Sequence, residues 1–191
     1  MLMSGQEYRE SLRRYHPRVF INGRAVASVA DELLLAPGVN GVALTYDFAL
    51  REDHAPLMRT SRPDFAGGQP VNRMIAIPAS TQDLLDKLEA VRLVCQETGC
   101  AQRYLGGDAL SAIQQATARM DAELNTSYGE RFRAWLERVY AEDLTLGVAM
   151  TDGKGDRSLR PSQQANPDAY VRIVERRKDG VVLRGVKAII T

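Results

Sequence analysis

Apolar residues recur every three or four positions over three stretches in the middle of the chain, a spacing that predicts amphipathic helices. The first stretch is capped by Ser80, carries Leu84, Leu88, Val91 and Cys95 along one stripe, and stops at Gly99. The second starts near Asp108 with Ala109, Ile113, Ala116 and Met120 inward; the third follows Ser127 with Tyr128, Phe132, Trp135 and Val139 inward. Three such faces are expected to bury one another. Upstream, Ser4-Gly5-Gln6-Glu7 has capping-box spacing, so a helix opens at Gly5 with Tyr8, Leu12 and Tyr15 on one face. Val19 to Val26 reads as a small hairpin whose Asn22-Gly23 turn suits type I′ geometry. After Pro37 comes a helix from about Val39 to Leu50. Asp53 to Pro78 is rich in Pro and Gly and reads as a long structured loop, with extended pieces at Leu57 to Thr60 and Val71 to Ile77.

From Leu144 the pattern changes. Leu144 to Thr151, Tyr170 to Glu175 and Val181 to Ile190 read as strands, separated by a loop with Pro161 and Pro167 and by a turn at Asp179-Gly180. Helices first and strands afterwards give an α+β class: a helical domain over residues 1–143 and the beginning of a β domain over residues 144–191. Three strands alone have little to cover them, and the last run, Ala188-Ile189-Ile190-Thr191, is apolar. A fragment, or a subunit completed by another chain, is the expectation.

Composition narrows the class. Apolar residues make up 45% and charged residues 26% of 191 positions, enough to bury a core. Lys plus Arg (25) nearly equals Asp plus Glu (24), so no global field attracts nucleic acid or an anionic membrane. Neither a signal peptide nor a membrane span is evident. Cys95 and Cys100 are too few for a disulfide framework, which points to a cytoplasmic protein with reduced thiols.

The most informative loop runs from Gly147 to Ser158. Val148, Ala149, Met150 and Thr151 lead into a polar turn with Asp152, Lys154, Asp156 and Arg157, broken by Gly153 and Gly155. Main chain of this kind can meet a flat ring, and the glycines are expected to allow positive φ and an anion-binding nest for a pyrophosphate. Neither a Walker A nor a Rossmann fingerprint is present. Taken alone, such a segment is also an ordinary solvated turn.

An ordered series of short motifs spans nearly the whole chain. It includes Glu7-Tyr8-x-x-Ser11-Leu12, Val71-Asn72-Arg73, Cys100-x-Gln102-Arg103 followed by Gly107-Asp108-Ala109, and Ala149-Met150-Thr151-Asp152-x-Lys154-Gly155-Asp156-Arg157. It continues through Pro161-Ser162-x-Gln164-Ala165-x-Pro167-Asp168, Arg172-Ile173-Val174-Glu175 and Gly180-Val181-Val182-x-Arg184-Gly185-x-Lys187-Ala188. In this series the chain resembles the N-terminal part of the 4-hydroxyphenylacetate 3-hydroxylase family, most of all its 4-hydroxybutyryl-CoA dehydratase branch. The resemblance implies an acyl-CoA-dehydrogenase-like architecture, a homo-oligomer (tetrameric in the family), and a C-terminal half of the fold supplied in cis or in trans.

It further implies an FAD site between helical and β domains, with Val148, Ala149, Met150, Thr151, Lys154, Gly155, Asp156, Arg157 and Thr191 against the cofactor. Gly153 stands where the dehydratases carry proline. The dehydratases also hold a 4Fe-4S cluster through a Cys-x-x-x-Cys pair. Cys100 matches the first of these ligands, Tyr104 occupies the second position, and no stable cluster is expected unless Tyr104 or another donor substitutes. A small buried core residue is the plain alternative for Cys100. Gln102 would line the substrate pocket, and Tyr104 falls in the same segment. Two activities follow from the resemblance: dehydration of a hydroxyacyl-CoA, or cluster-free hydroxylation of a phenol. Hydroxylases carry histidine at the position of Val148, whereas Tyr104 pulls towards their cluster-free chemistry. A non-catalytic remnant or half of a split enzyme is the third reading.

Overall fold

The computed structural model describes residues 2–100, 102–153 and 155–188, and it divides after Gly147 into two compact units. About half of the chain is helical, and its short strands form three two-stranded antiparallel sheets among the described residues.

In the first unit α1 spans Gly5–Arg13. Its start is a complete capping box, in which Ser4 accepts from the Glu7 amide while the Glu7 carboxylate accepts from the Ser4 amide at 2.7 Å. Tyr15 falls beyond the helix and is exposed. Strands β1 (Val19–Ile21) and β2 (Arg24–Val26) form the expected hairpin, with Asn22 and Gly23 both at positive φ. Helix α2 (Ala36–Leu50) begins three residues earlier than its periodicity indicates, because Pro37 sits in the first turn, where its missing N–H has no helical partner to lose. Both faces of α2 are covered. Tyr8, Val39, Ala43 and Tyr46 pack between α1 and α2, and Phe48 and Ala49 join Met58, Met74, Ala90 and Val94 on the other side.

The Pro- and Gly-rich segment is better ordered than its composition suggests. Ala55–Met58 is a helical turn (α3), not an extended piece, since Pro56 pre-sets the φ of its first turn. It leads into β3 (Arg59–Ser61), which pairs with β4 (Pro70–Asn72). The buried Asn72 amide donates to the Thr45 carbonyl at 3.1 Å and accepts from the Met74 amide at 3.1 Å. Arg73 donates to the carbonyls of Leu57 and Arg59 and pairs with Asp83 and Asp86. These bonds pin residues 73–77 as a buried turn in place of the longer strand anticipated there.

Helix α4 (Thr81–Thr98) has the expected ends: Ser80 accepts from the Asp83 amide, and Gly99 closes the helix in the left-handed region. Its buried face is different. Lys87, Ala90 and Val94 are inside, whereas Leu84 and Leu88 stay about half exposed and Cys95 is only partly covered. Helix α5 spans Tyr104–Leu124 and begins four residues before Asp108. Its buried positions are Gly106, Gly107 and Leu110; Ile113, Ala116 and Met120 remain exposed. Helix α6 (Tyr128–Ala141) buries Leu136, Val139 and Tyr140, with Phe132 packed at the edge and Trp135 and Tyr128 exposed. The three helices therefore do not bury one another as a bundle. Helix α5 pairs with α6, while α4 packs on α2 and α3. What fills the space is the turn after β4: Ile75, Ala76 and Ile77 enter the core with Leu110, Leu136 and Tyr140, and the Tyr140 hydroxyl accepts from the Ile77 amide at 2.9 Å.

Leu144 to Thr151, which leaves the first unit and enters the second, is not a strand. Among the described residues a bridge follows just after it, at Asp152–Lys187, with the Ala188 amide donating to the Thr151 carbonyl. Strands β5 (Arg172–Arg177) and β6 (Gly180–Arg184) form a hairpin turned at Lys178-Asp179, and β6 is shorter than the run of apolar residues that predicts it. Ile189 and Ile190 lie outside the described residues.

The two faces of α4 differ in energetic weight. Val94→Ala removes methyl groups from a fully buried site and is expected to lower unfolding stability by about 2 kcal/mol. Leu88→Ala, on the half-exposed face, is expected to change stability by less than about 1 kcal/mol. Urea unfolding of the two variants checks this; equal losses would mean that the outer stripe is buried in solution.

Candidate functional site

The connection between α4 and α5 holds Cys100, Gln102 and Tyr104 close together in sequence, and its geometry is fixed from beneath. Gly99 (φ 69°) ends α4, and the Thr98 hydroxyl donates to the carbonyls of Val94 and Cys100. Cys100 is exposed, so the plain reading of it as a small core residue does not hold. The half-buried Gln102 side chain lies against α2 at Gly41, where a Cβ would stand 3.1 Å from the Gln102 amide nitrogen; a glycine at 41 makes the room.

Arg103 is the residue whose role sequence reasoning missed. It caps the start of α5 with φ 62°, a left-handed conformation that costs a non-glycine residue on the order of 1–3 kcal/mol when the surroundings impose it. Its guanidinium is buried, and its NH2 donates to Asp143 Oδ1 at 2.7 Å and to the carbonyls of Asp143 and Leu144. The guanidinium carbon sits 4.0 Å from the centroid of the Tyr46 ring, which Tyr8 stacks on at 5.0 Å. The Tyr46 hydroxyl donates to the Asp143 carbonyl at 2.9 Å and lies 2.7 Å from Thr145 Oγ1. Burial pushes the Tyr46 phenol up to about 12, so it is neutral at physiological pH. The Met3 amide completes the group by donating to Asp143 Oδ2 at 3.1 Å. The signal available in the sequence was the lone Asp143 at the end of the third amphipathic stretch, opposite nothing obvious.

Two glycines set the depth of α5. A Cβ at Gly106 would stand 2.8 Å from the Leu146 carbonyl, and one at Gly107 would meet the Met74 carbonyl and lie 2.6 Å from the Lys87 ammonium. Lys87 is buried and donates to the Ala76 carbonyl at 3.0 Å; burial lowers its pKa. Tyr104 is held within the first turn of α5. Its hydrogen bond to the Asp108 carboxylate raises the phenol pKa, with burial adding to the rise, so the group stands as a phenol and not a phenolate.

The loop of the second unit has its own internal order. Gln164 accepts from the Asp156 amide at 2.9 Å and donates to the carbonyls of Asp156 and Leu159. Asp156 accepts from the amide and hydroxyl of Ser158, which lowers its pKa. Gly153 is not at positive φ, contrary to expectation. Gly153 and Gly155 are small because Ala169 and Gln164 approach them: a Cβ at 153 would meet the Ala169 carbonyl at 2.8 Å, and one at 155 would strike the Gln164 side chain. Val148, Ala149, Met150 and Thr151 are exposed, as are Gly155, Asp156 and Arg157. Lys187 pairs with Asp152 at 2.7 Å and donates to the Met150 carbonyl. Lys154 and Thr191 lie outside the described residues.

The exposed residues 148–151 and the exposed Arg157 fit one side of a flavin and its pyrophosphate in chemistry. A 4Fe-4S cluster fits less well. In the segment that resembles the family's cluster pair, Cys100 offers a thiol and Tyr104 a phenol in place of a second thiolate.

Comparison with known proteins places this geometry. The family model described as the 4-hydroxyphenylacetate 3-hydroxylase N terminal matches residues 4–191. The 4-hydroxybutyryl-CoA dehydratase/vinylacetyl-CoA-Δ-isomerase of Clostridium aminobutyricum is 40% identical over 98% of this chain and 38% of its own length. The oxygenase component of 4-hydroxyphenylacetate 3-monooxygenase from a Geobacillus species is 24% identical over the same share of each. Among solved structures, an oxygen-tolerant archaeal 4-hydroxybutyryl-CoA dehydratase from N. maritimus superposes with a TM-score of 0.90 at 38% identity, covering 98% of this chain and 37% of that one. The oxygenase component of 4-hydroxyphenylacetate 3-monooxygenase, complexed with FAD and 4-hydroxyphenylacetate, shares the fold with a TM-score of 0.75 at 23% identity over 96% of this chain and 37% of that one. The chain thus spans less than two fifths of the length of these relatives, and it belongs to the 4-hydroxyphenylacetate 3-hydroxylase family, whose N-terminal region it matches.

Proposed function

We propose that this chain forms part of a flavin-dependent enzyme of the dehydratase branch, acting on a hydroxyacyl-CoA. The observation that carries the reading is the 40% identity with the Clostridium dehydratase across 98% of the chain. The partners proposed are a C-terminal part of the family fold and further copies in a homo-oligomer. A cytoplasmic setting is part of the same proposal; no helix among the described residues is long and apolar enough to cross a membrane.

Val148, Ala149, Met150 and Thr151 would face the ring system of FAD, with Gly155, Asp156, Arg157, Lys154 and Thr191 nearer its ribityl and phosphate parts. Bound flavin supplies reversible electron transfer. The protein's own part is positional and electrostatic. Gln102, braced on α2 at Gly41, holds a substrate oxygen through its amide. Tyr104 presents a neutral phenol, its pKa raised further by its hydrogen bond to Asp108, as a hydrogen-bonding group on the same segment. Arg157 is exposed and free to reach an anionic group by a charge-assisted bond.

Tyr104 also favours a second reading, in which the enzyme is a cluster-free, flavin-dependent hydroxylase of a phenol. A protonated tyrosine at the second cluster position suits that chemistry, whereas Val148 in place of the hydroxylases' histidine does not.

Flavin binding is checked by titrating FAD into the chain together with its completing region and following flavin fluorescence. Arg157→Ala and Lys154→Ala are each expected to weaken binding about tenfold, the loss of one charge-assisted phosphate contact. Absence of FAD binding, or variants with unaltered affinity, would remove this segment from the cofactor site.

The cluster is tested separately by anaerobic reconstitution with iron and sulfide. The wild-type assembly is expected to hold little cluster, and Tyr104→Cys to raise its iron and sulfide content severalfold. Near-stoichiometric cluster in the wild type, lost in Cys100→Ser, would show that one thiolate with another donor suffices.

A further inference from the structure

Neither proposed activity uses the most constrained residue of the α4–α5 connection. Arg103 stands between Gln102 and Tyr104 on a left-handed backbone, with its side chain 0% exposed and its partner Asp143 2% exposed. Only one of its three guanidinium nitrogens finds a protein acceptor among the described residues; Nε and NH1 are buried without one. As a source of stability this is a poor arrangement, because a buried pair with unsatisfied donors is commonly matched or surpassed by apolar side chains of similar volume. As an orienting device it is well made. A planar guanidinium lying on Tyr46 and held at one edge by Asp143 has little freedom to rotate, and Tyr46 is itself fixed by Tyr8 on its ring and by Asp143 and Thr145 at its hydroxyl.

We infer that Arg103 is a positioning residue: its clamp on Asp143 and Tyr46 imposes the left-handed turn that sets the relative orientation of Gln102 and Tyr104. The main chain at 103 cannot relax without pulling a buried charge from its partner. The first turn of α5 follows directly, and Gly106 seats it on Leu146, only three residues beyond Asp143. Gln102 and Tyr104 thereby share one frame with residues 143–146. The inference builds on the proposed enzymatic role of Gln102 and Tyr104, but its geometric content is measurable without any activity.

Two substitutions separate positioning from structural support. Arg103→Met with Asp143→Leu replaces the pair by apolar side chains, and Arg103→Lys keeps the charge but loses the planar fork. Fluorotyrosine is incorporated in the chain, and the Tyr104 resonance is identified by its absence in Tyr104→Phe. The wild type is expected to give one narrow Tyr104 line, and both variants a broadened or split one while melting within a few degrees of the wild type. The rate of modification of exposed Cys100 by a thiol reagent is expected to change at least threefold in parallel. In the complete assembly, the same variants are expected to lose at least tenfold in kcat with KM and FAD affinity nearly unchanged.

A double variant that melts like the wild type and keeps the narrow Tyr104 line and the Cys100 rate overturns the inference. A double variant that cannot fold, alongside an Arg103→Lys chain with an unaltered Tyr104 line, overturns it as well, since the pair is then a strut. If the wild-type assembly turns over neither a hydroxyacyl-CoA nor a phenol, the functional proposal fails, while the fluorine spectra still decide the role of Arg103.

Discussion

The buried contact of Arg103 with Asp143 over the face of Tyr46 is the constraint on which the first unit depends. It joins four parts of the chain that are remote in sequence: the segment entering α1, the middle of α2, the start of α5 and the residues leaving α6. Charge alone does not explain it. A carboxylate, a phenol hydroxyl, a main-chain amide and two carbonyls converge around one guanidinium edge, so each group desolvated by burial has a partner except Nε and NH1. Asp143 is shared by these bonds, so displacing it reaches the Arg103 guanidinium, the Met3 amide and the Tyr46 hydroxyl together.

Around that point, small residues decide how closely backbone meets backbone. Gly106 admits the Leu146 carbonyl, Gly107 admits the turn at Met74 and the Lys87 ammonium, and Gly41 admits the Gln102 amide. These are close approaches in ordinary helical conformation, so the absence of a Cβ matters more than backbone freedom. The result is a helix start packed on several sides, with the candidate residues Gln102 and Tyr104 on it. Cys100 remains exposed at the edge.

Local signals were legible where the deciding physics is local. The capping box at Ser4, the Asn22-Gly23 turn, the Ser80 cap and the Gly99 stop all depend on a few neighbouring residues, and they stand as read. The inward faces of α4 and α5 were not legible. Leu84 and Leu88 make a regular stripe, but the side of α4 that packs is decided by α2, by α3 and by Lys87 reaching the Ala76 carbonyl. A lysine reads as a surface residue until a buried acceptor is known. The extended piece from Leu57 to Thr60, extended only from Arg59, and the strand from Leu144 departed for a related reason: apolar runs of that length suit several states, and pairing or packing partners choose among them. At the site, motif resemblance singled out Gln102, Tyr104 and Cys100, whereas Arg103, Tyr46 and Asp143 form a constellation only in three dimensions.

Amide hydrogen exchange on Tyr46→Phe tests this account most directly, since the substitution deletes one hydroxyl and leaves the stacked ring in place. If the network acts as a unit, protection falls together at residues 5–8, at 104–107 and at 143–146, while α4 keeps its wild-type exchange. Loss confined to Asp143 and Thr145, with the start of α5 as protected as before, would contradict it.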